Sequence, residues 1–242
     1  MIDEKIKEKI VLALDVETLE EAKKLVDELS PYVGTFKVGL QLYTGFGNEI
    51  IDYIKSKNSN FFLDVKLMDI PNTVKKASEN IVLRGANFYN VHALGGLEMM
   101  KQSKEGAYKA AEKLGKKPPL ILAVTVLTSI SQEVLDNEIK VNTQVRELAI
   151  NLAKLAKEAG LDGVVASVHE LRAIKEACGE DFKVLCPGIR PLWSLKDDQK
   201  RIATPAQALK DGADFLVIGR AVTAAEDRVE AMKKIYEETG VI

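Results

Sequence analysis

The chain has 242 residues, 46% of them hydrophobic, and a formal net charge of −2 from 34 Lys and Arg against 36 Asp and Glu. That length suits one large α/β domain or two small ones, and that apolar share supplies a full core, which argues against global disorder. The near-balanced charge argues against a nucleic-acid partner, and no apolar run approaches the ~20 residues a membrane span needs.

The N-terminal MIDEKIKEKI is charged and lacks the apolar centre of a signal peptide. Cys178 and Cys186 belong to no CxxC or Cys/His cluster and read as reduced thiols of a cytoplasmic protein. His92 and His169 are too few and too far apart for a zinc site, so no metal is expected.

Apolar strand-like runs recur from end to end: Ile10 to Val16, Thr35 to Leu40, a run beginning at Phe61, and Phe88 to Leu94. Leu120 to Leu127, Gly163 to Val168, Phe182 to Cys186 and Phe215 to Ile218 complete the set of eight. Amphipathic helical segments such as Leu19 to Leu29, Val74 to Leu83 and Val145 to Ala159 lie between them, and Gly85, Gly160 and Gly212 stand where helix C-terminal glycines stand. Near-continuous apolar strands belong to parallel sheets covered on both faces. Eight βα units in about 250 residues is the size of a (β/α)₈ TIM barrel, read here as a single domain over residues 1–242. A doubly wound open sheet is the alternative, with fewer strands in this length, and neither GxGxxG nor GxxxxGK[ST] occurs. Two connections are long. SISQEVLDNEIKVN follows Thr128, with Ser129 and Gln132 spaced as a capping box, and Pro187 to Thr204 follows the seventh strand and carries Trp193.

The densest chemistry lies in FFLDVKLMDIPNTV, Phe61 to Val74. Strand alternation places Phe62, Asp64 and Lys66 on one face and Phe61, Leu63, Val65 and Leu67 on the other. An acid and an amine on such a strand either satisfy one another, with Asp69 capping the helix that Pro71 opens, or serve a substrate. In a barrel the C-terminal strand ends build the active site, and here they read Asp15, Lys37, Asp64 with Lys66, His92, Thr128, Ser167, Gly188 to Arg190, and Gly219 with Arg220. Gly219 and Arg220 fit half of a phosphate site, with Arg190 and Gln199 as further donors; the alternative is arginines paired to surface carboxylates. Lys37, Asp64, Lys66 and Asp69 would form an alternating charge array, in which opposite charges ~4 Å apart attract by roughly 4 kcal/mol at an effective dielectric of about 20. A lysine between two carboxylates suits proton donation to a carbanion and needs no cofactor. His92 reads as a hydrogen-bonded structural histidine rather than a base, and Trp193 as a hydrophobic anchor.

LDVKLMDIPNTV resembles the signature of the bacterial orotidine 5′-monophosphate decarboxylase family, and LALDV, FKVGL, NVHALGG, LTS, PGIRP, DDQKRIATP and GADFLVIGR resemble its other blocks in order. The resemblance implies a cofactor-free decarboxylation of orotidine 5′-monophosphate to uridine 5′-monophosphate and carbon dioxide. By the same resemblance Lys66 protonates carbon 6, Asp64 sits against the departing carboxylate, and Lys37 orders Asp64 and reaches the ribose, which Asp15 also binds. Asp69, Ile70 and Thr73 enter the site from the other subunit of a homodimer. Thr128 reads the pyrimidine, and Gln199, Gly219 and Arg220 grip the phosphate beside Arg190. Met68 replaces a common histidine and Ala221 a frequent proline. The rival is a magnesium-dependent sugar-phosphate decarboxylase or synthase of the same barrel group, which places an acid where Lys37 stands and so holds a cation that this lysine repels. A non-catalytic phosphate-binding barrel is the alternative of a different class.

Overall fold

A computed structural model of the chain describes residues 3–194 and 203–240. Eight strands, β1 (Ile10–Ala13), β2 (Thr35–Gly39), β3 (Asn60–Leu67), β4 (Phe88–His92), β5 (Leu120–Val124), β6 (Gly163–Val165), β7 (Lys183–Cys186) and β8 (Phe215–Ile218), follow one another in a closed barrel. The pairs β1–β2, β1–β8, β2–β3, β4–β5, β5–β6 and β6–β7 are parallel, which is the TIM-barrel architecture the βα rhythm predicts.

The helices are α1 (Glu4–Lys9), α2 (Leu19–Leu29), α3 (Leu40–Phe46), α4 (Asn48–Ser56), α5 (Pro71–Leu83) and α6 (Gly96–Lys113). They continue with α7 (Gln132–Val134), α8 (Val145–Glu158), α9 (Val168–Cys178), α10 (Pro205–Lys210), α11 (Arg220–Thr223) and α12 (Arg228–Glu238). No helix among the described residues is long and apolar enough to cross a membrane.

The chain forms two compact units, residues 1–64 with 186–242, and residues 65–185. In the first, β2 pairs with β1 and β3, and β1 also pairs with β8. Helix α2 begins where the Thr18 hydroxyl accepts from the Glu21 N–H, and it buries Leu19, Ala22, Leu25, Val26 and Leu29, one stripe at helical spacing. In the second unit β4, β5, β6 and β7 pair in sequence. A hydroxyl cluster ties β4 to two helices there: Ser78 of α5 and Ser103 of α6 lie 2.8 Å apart, and the Tyr89 hydroxyl lies 2.9 Å from Ser103. All three residues are buried, and burial pushes the Tyr89 phenol up to about 12.

Several strands stop short of their apolar runs. β1 ends at Ala13 although Leu14 and Val16 remain buried, and Leu14 still donates its N–H to the Lys37 carbonyl of β2 at 3.0 Å. β5 ends at Val124 rather than Leu127: Thr125 is still buried and donates its N–H to the Val165 carbonyl at 3.2 Å, whereas Leu127 is exposed. Gly85, Gly160 and Gly212 do follow α5, α8 and α10 with φ of 86°, 75° and 100°, the left-handed turn that glycine takes without penalty. The capping-box expectation needs correction by two residues. Ser131, not Ser129, caps α7 by accepting from the Val134 N–H, while the Gln132 side chain accepts from the Val145 N–H and donates to the Thr143 carbonyl. Gln132 thus staples both ends of the long connection together. Cys178 and Cys186 are both buried thiols outside any disulfide.

Candidate active site

In the unit of residues 1–64 and 186–242, the charged strand ends meet around Lys37. This lysine belongs to β2 and is buried, and its Nζ lies 3.1 Å from Asp15 Oδ1 and 3.2 Å from Asp64 Oδ2. Asp15 follows β1 by two residues and is half exposed, while Asp64 on β3 keeps only 14% of its side-chain surface. One ammonium therefore bridges a nearly enclosed carboxylate and an open one. Such a bridge fixes the direction of the Asp64 carboxylate, since an unpaired charge at that depth would be costly. Gly39 lines the same spot. A Cβ added there would come within 3.0 Å of Lys37 Nζ and 3.2 Å of Asp15 Oδ1, although the backbone, at φ −88°, would accept any residue.

Gly219 and Arg220 close β8, with Arg220 exposed as the first residue of α11. A Cβ at Gly219 would make only ordinary contact with Ala13. Arg190 is half-buried, and its N–H donates to the Ala203 carbonyl at 3.1 Å beside a parallel bridge from Ile189 to Ala203. That pairing brings the two ends of the connection after β7 together. Gln199 lies outside the described residues. Trp193 is exposed, with the Lys234 ammonium 5.8 Å from its ring centre.

In the unit of residues 65–185, Lys66 departs from the strand geometry that alternation assumes. Its φ is +51°, a left-handed conformation that costs a residue with a side chain about 1–2 kcal/mol. Lys66 thus lies within β3 but outside the regular strand geometry that the alternation assumes. The Lys66 N–H donates to the Asn90 side-chain oxygen at 2.8 Å. Two residues along β4, His92 accepts the Leu94 N–H through Nδ1 at 3.4 Å and caps the turn Ala93–Gly95. Partial burial, then the Lys66 charge, hold the His92 imidazole below its ordinary value, so it stays neutral. This matches its reading as a structural histidine.

Asp69 accepts the Ile70 N–H at 2.6 Å, and Ile70, not Asp69, is the N-cap residue of α5. Asp69, Ile70 and Thr73 are all exposed around the first turn of that helix, which Pro71 opens. Thr128 is exposed in the turn after β5. Ser167 caps α9 by accepting from the His169 N–H. Among the described residues no three His, Cys, Asp or Glu side chains gather as a metal-holding set. Sequence reasoning passed over Gly39 and Asn90. Asn90 did carry a signal, since a fully buried amide within the strand FYNVH must have a partner.

The family model described as "Orotidine 5'-phosphate decarboxylase / HUMPS family" matches residues 8–235. The chain belongs to this family. It is 52% identical over 232 residues to the orotidine 5′-phosphate decarboxylase of Syntrophomonas wolfei, covering 96% of this chain and 97% of that one. To the enzyme of the same name from Heliobacterium modesticaldum it is 47% identical, covering 96% of each chain. Among solved structures, orotidine 5′-phosphate decarboxylase from Lactobacillus acidophilus superposes with a TM-score of 0.84 at 37% identity, over 95% of this chain and 98% of that one. The Pyrococcus horikoshii enzyme gives 0.76 at 27% identity, over 96% and 100%. The family and the barrel that the sequence blocks resemble are those found.

Proposed function

We infer that the chain decarboxylates orotidine 5′-monophosphate to uridine 5′-monophosphate in pyrimidine biosynthesis, and that Lys66, Asp64, Lys37 and Asp69 carry the reaction. The near-full-length identity to decarboxylases of that name supports the activity. The bridge from Lys37 to Asp15 and Asp64 is the observation that supports the assignment of residues.

In this mechanism the bond from carbon 6 of the pyrimidine to its carboxylate breaks, carbon dioxide leaves, and the electron pair stays on carbon 6. Lys66 stabilises that charge as a fixed cation and then gives carbon 6 its proton, recovering one from water after release. Asp64, held by Lys37, faces the departing carboxylate; Asp15 and Lys37 bind the ribose; Thr128 reads the pyrimidine. Arg190, Gln199, Gly219 and Arg220 hold the phosphate, whose remote binding energy favours closure over the reacting centre. No cofactor enters any step.

A second copy of the chain supplies Asp69, Ile70 and Thr73 to each site in this reading. Ile70 and Met68 are 68% and 56% exposed, and Leu94 and Leu127 of the same unit are exposed as well. Exposed Met68 and Ile70, in the same chain segment as Asp69 and Thr73, suit a homodimer face.

The test is loss of orotidine 5′-monophosphate absorbance with purified protein and a chelator, run beside Lys66→Ala. Turnover untouched by chelator and abolished in the variant is expected. Turnover only with magnesium and a sugar phosphate would instead assign the chain to the metal-dependent branch, and a folded protein that turns over neither would be a binding barrel.

A further inference from the structure

Lys66 is one of three non-glycine residues with positive φ among the described residues, and the other two, Asn58 and Lys140, lie in connections rather than in a strand. A strained backbone angle persists only where its surroundings over-determine it. At Lys66 the determining group is Asn90. The Lys66 N–H points at the Asn90 side chain, at 2.8 Å. Because the donor is an N–H, the atom facing it must be the amide oxygen, which fixes the orientation of Asn90. Asn90 has no exposed surface, and its strand pairs with β5 through Asn90 and Leu122, so the oxygen is held on a rigid element.

The pleat of β4 sorts its side chains. Tyr89 reaches Ser103 of α6, so Asn90 and His92 project to the face away from that helix. Asn90 acts on Lys66 from there through the backbone N–H, while His92, two residues on, is held below its ordinary value by burial and then by the Lys66 charge. With φ at +51°, the Cα–Cβ bond leaves the direction that strand alternation would give it.

We propose that Asn90 is the positioning residue for Lys66: its buried amide oxygen holds the Lys66 backbone in the left-handed conformation and thereby aims the ammonium at the reacting carbon. This rests on the reading of Lys66 as the proton donor. Asn90 itself touches no substrate; its effect passes through the lysine backbone. A misaimed donor slows the chemical step while leaving ground-state binding alone, and misplacements on the order of 1 Å cost about 100-fold in rate.

The experiment compares wild type, Asn90→Ala, Asn90→Asp and Lys66→Ala for melting temperature, kcat and KM with orotidine 5′-monophosphate, and affinity for uridine 5′-monophosphate. Asn90→Ala is expected to lower kcat about 100-fold with KM and product affinity within about 3-fold of wild type. Asn90→Asp keeps an acceptor oxygen at the same reach and should recover at least about 10-fold of that loss. If Asn90→Ala does not fold, Asn90→Ser is read in its place against the same thresholds. Wild-type kcat in the folded Ala or Ser variant overturns the proposal, as does a loss seen in KM alone or an Asp variant no better than Ala. Full activity in Lys66→Ala would overturn the underlying reading of the lysine, an outcome distinct from all of these.

Discussion

Gly39 and Lys37 stand two residues apart at the end of β2, and the glycine's missing side chain is the space the ammonium occupies. An added Cβ would lie 3.0 Å from Lys37 Nζ, closer than nearly all real contacts of that kind. Because φ there is −88°, Gly39→Ala strains no backbone angle and acts through its close approach to Lys37 Nζ and Asp15 Oδ1. It should displace the ammonium by a few tenths of an ångström and lower kcat/KM by about 10- to 100-fold, with a melting temperature within about 2 °C of wild type. Steady-state kinetics beside calorimetry check it; unchanged kcat/KM would show that the Lys37 bridge tolerates displacement.

The left-handed backbone at Lys66 makes a prediction about stability that runs opposite to activity. Lys66→Ala and Lys66→Gly should both abolish decarboxylation. The glycine variant relieves the φ of +51° and should be more stable than the alanine variant by about 1 kcal/mol, or roughly 2–4 °C. Thermal unfolding of the pair decides it. Equal melting temperatures would mean that the angle carries no strain.

His92 gives the protein an acid-side sensitivity. Its folded-state value is held below the ordinary 6.5, so below that pH the unfolded chain binds a proton that the folded one resists. The contribution is present above about 6.5 and is lost as pH falls through the folded value. His92→Asn should therefore show a shallower fall in stability between pH 7 and pH 5. Burial is the larger cause and Lys66 the second, so Lys66→Ala should move the His92 midpoint upward in an NMR titration without reaching 6.5. A midpoint indifferent to Lys66 would place the ammonium elsewhere.

The proposal of a shared site predicts complementation. Lys66→Ala and Asp69→Ala chains are each expected to be inactive alone, because one lacks the proton donor and the other lacks the acid supplied to its neighbour. Mixed dimers carry one site with both residues intact, so co-expression should restore up to about a quarter of wild-type activity per chain. No recovery in a verified mixed dimer would mean that Asp69 serves its own subunit.

How far the sequence reached depends on which physical variable a residue sets. The eight strands were legible because apolar runs report burial, and β8 falls at the predicted Phe215 to Ile218. The ends of β1 and β5 were not, since Leu14, Val16 and Thr125 stay buried past the last strand residues. The Lys37 cluster could be anticipated from charged residues ending apolar strands. The conformation of Lys66 could not, because a lysine carries no preference for positive φ and the determinant, Asn90, is 24 residues away. Ser131 took the cap from Ser129 because the cap is decided by which hydroxyl meets an N–H three residues on, and Val134 supplies that N–H.

The hydroxyl cluster of Ser78, Ser103 and Tyr89 bears on how two chains would meet. It anchors α5, whose first turn presents Ile70 and Thr73, to α6 and to β4 in buried surroundings. A surface braced in this way before encounter loses little internal freedom on docking, so the entropic penalty of association falls mainly on rigid-body motion. Subunit exchange would then be limited by the rate at which two finished surfaces part rather than by any refolding of the helix, and it should be insensitive to mild denaturant until the cluster itself gives way.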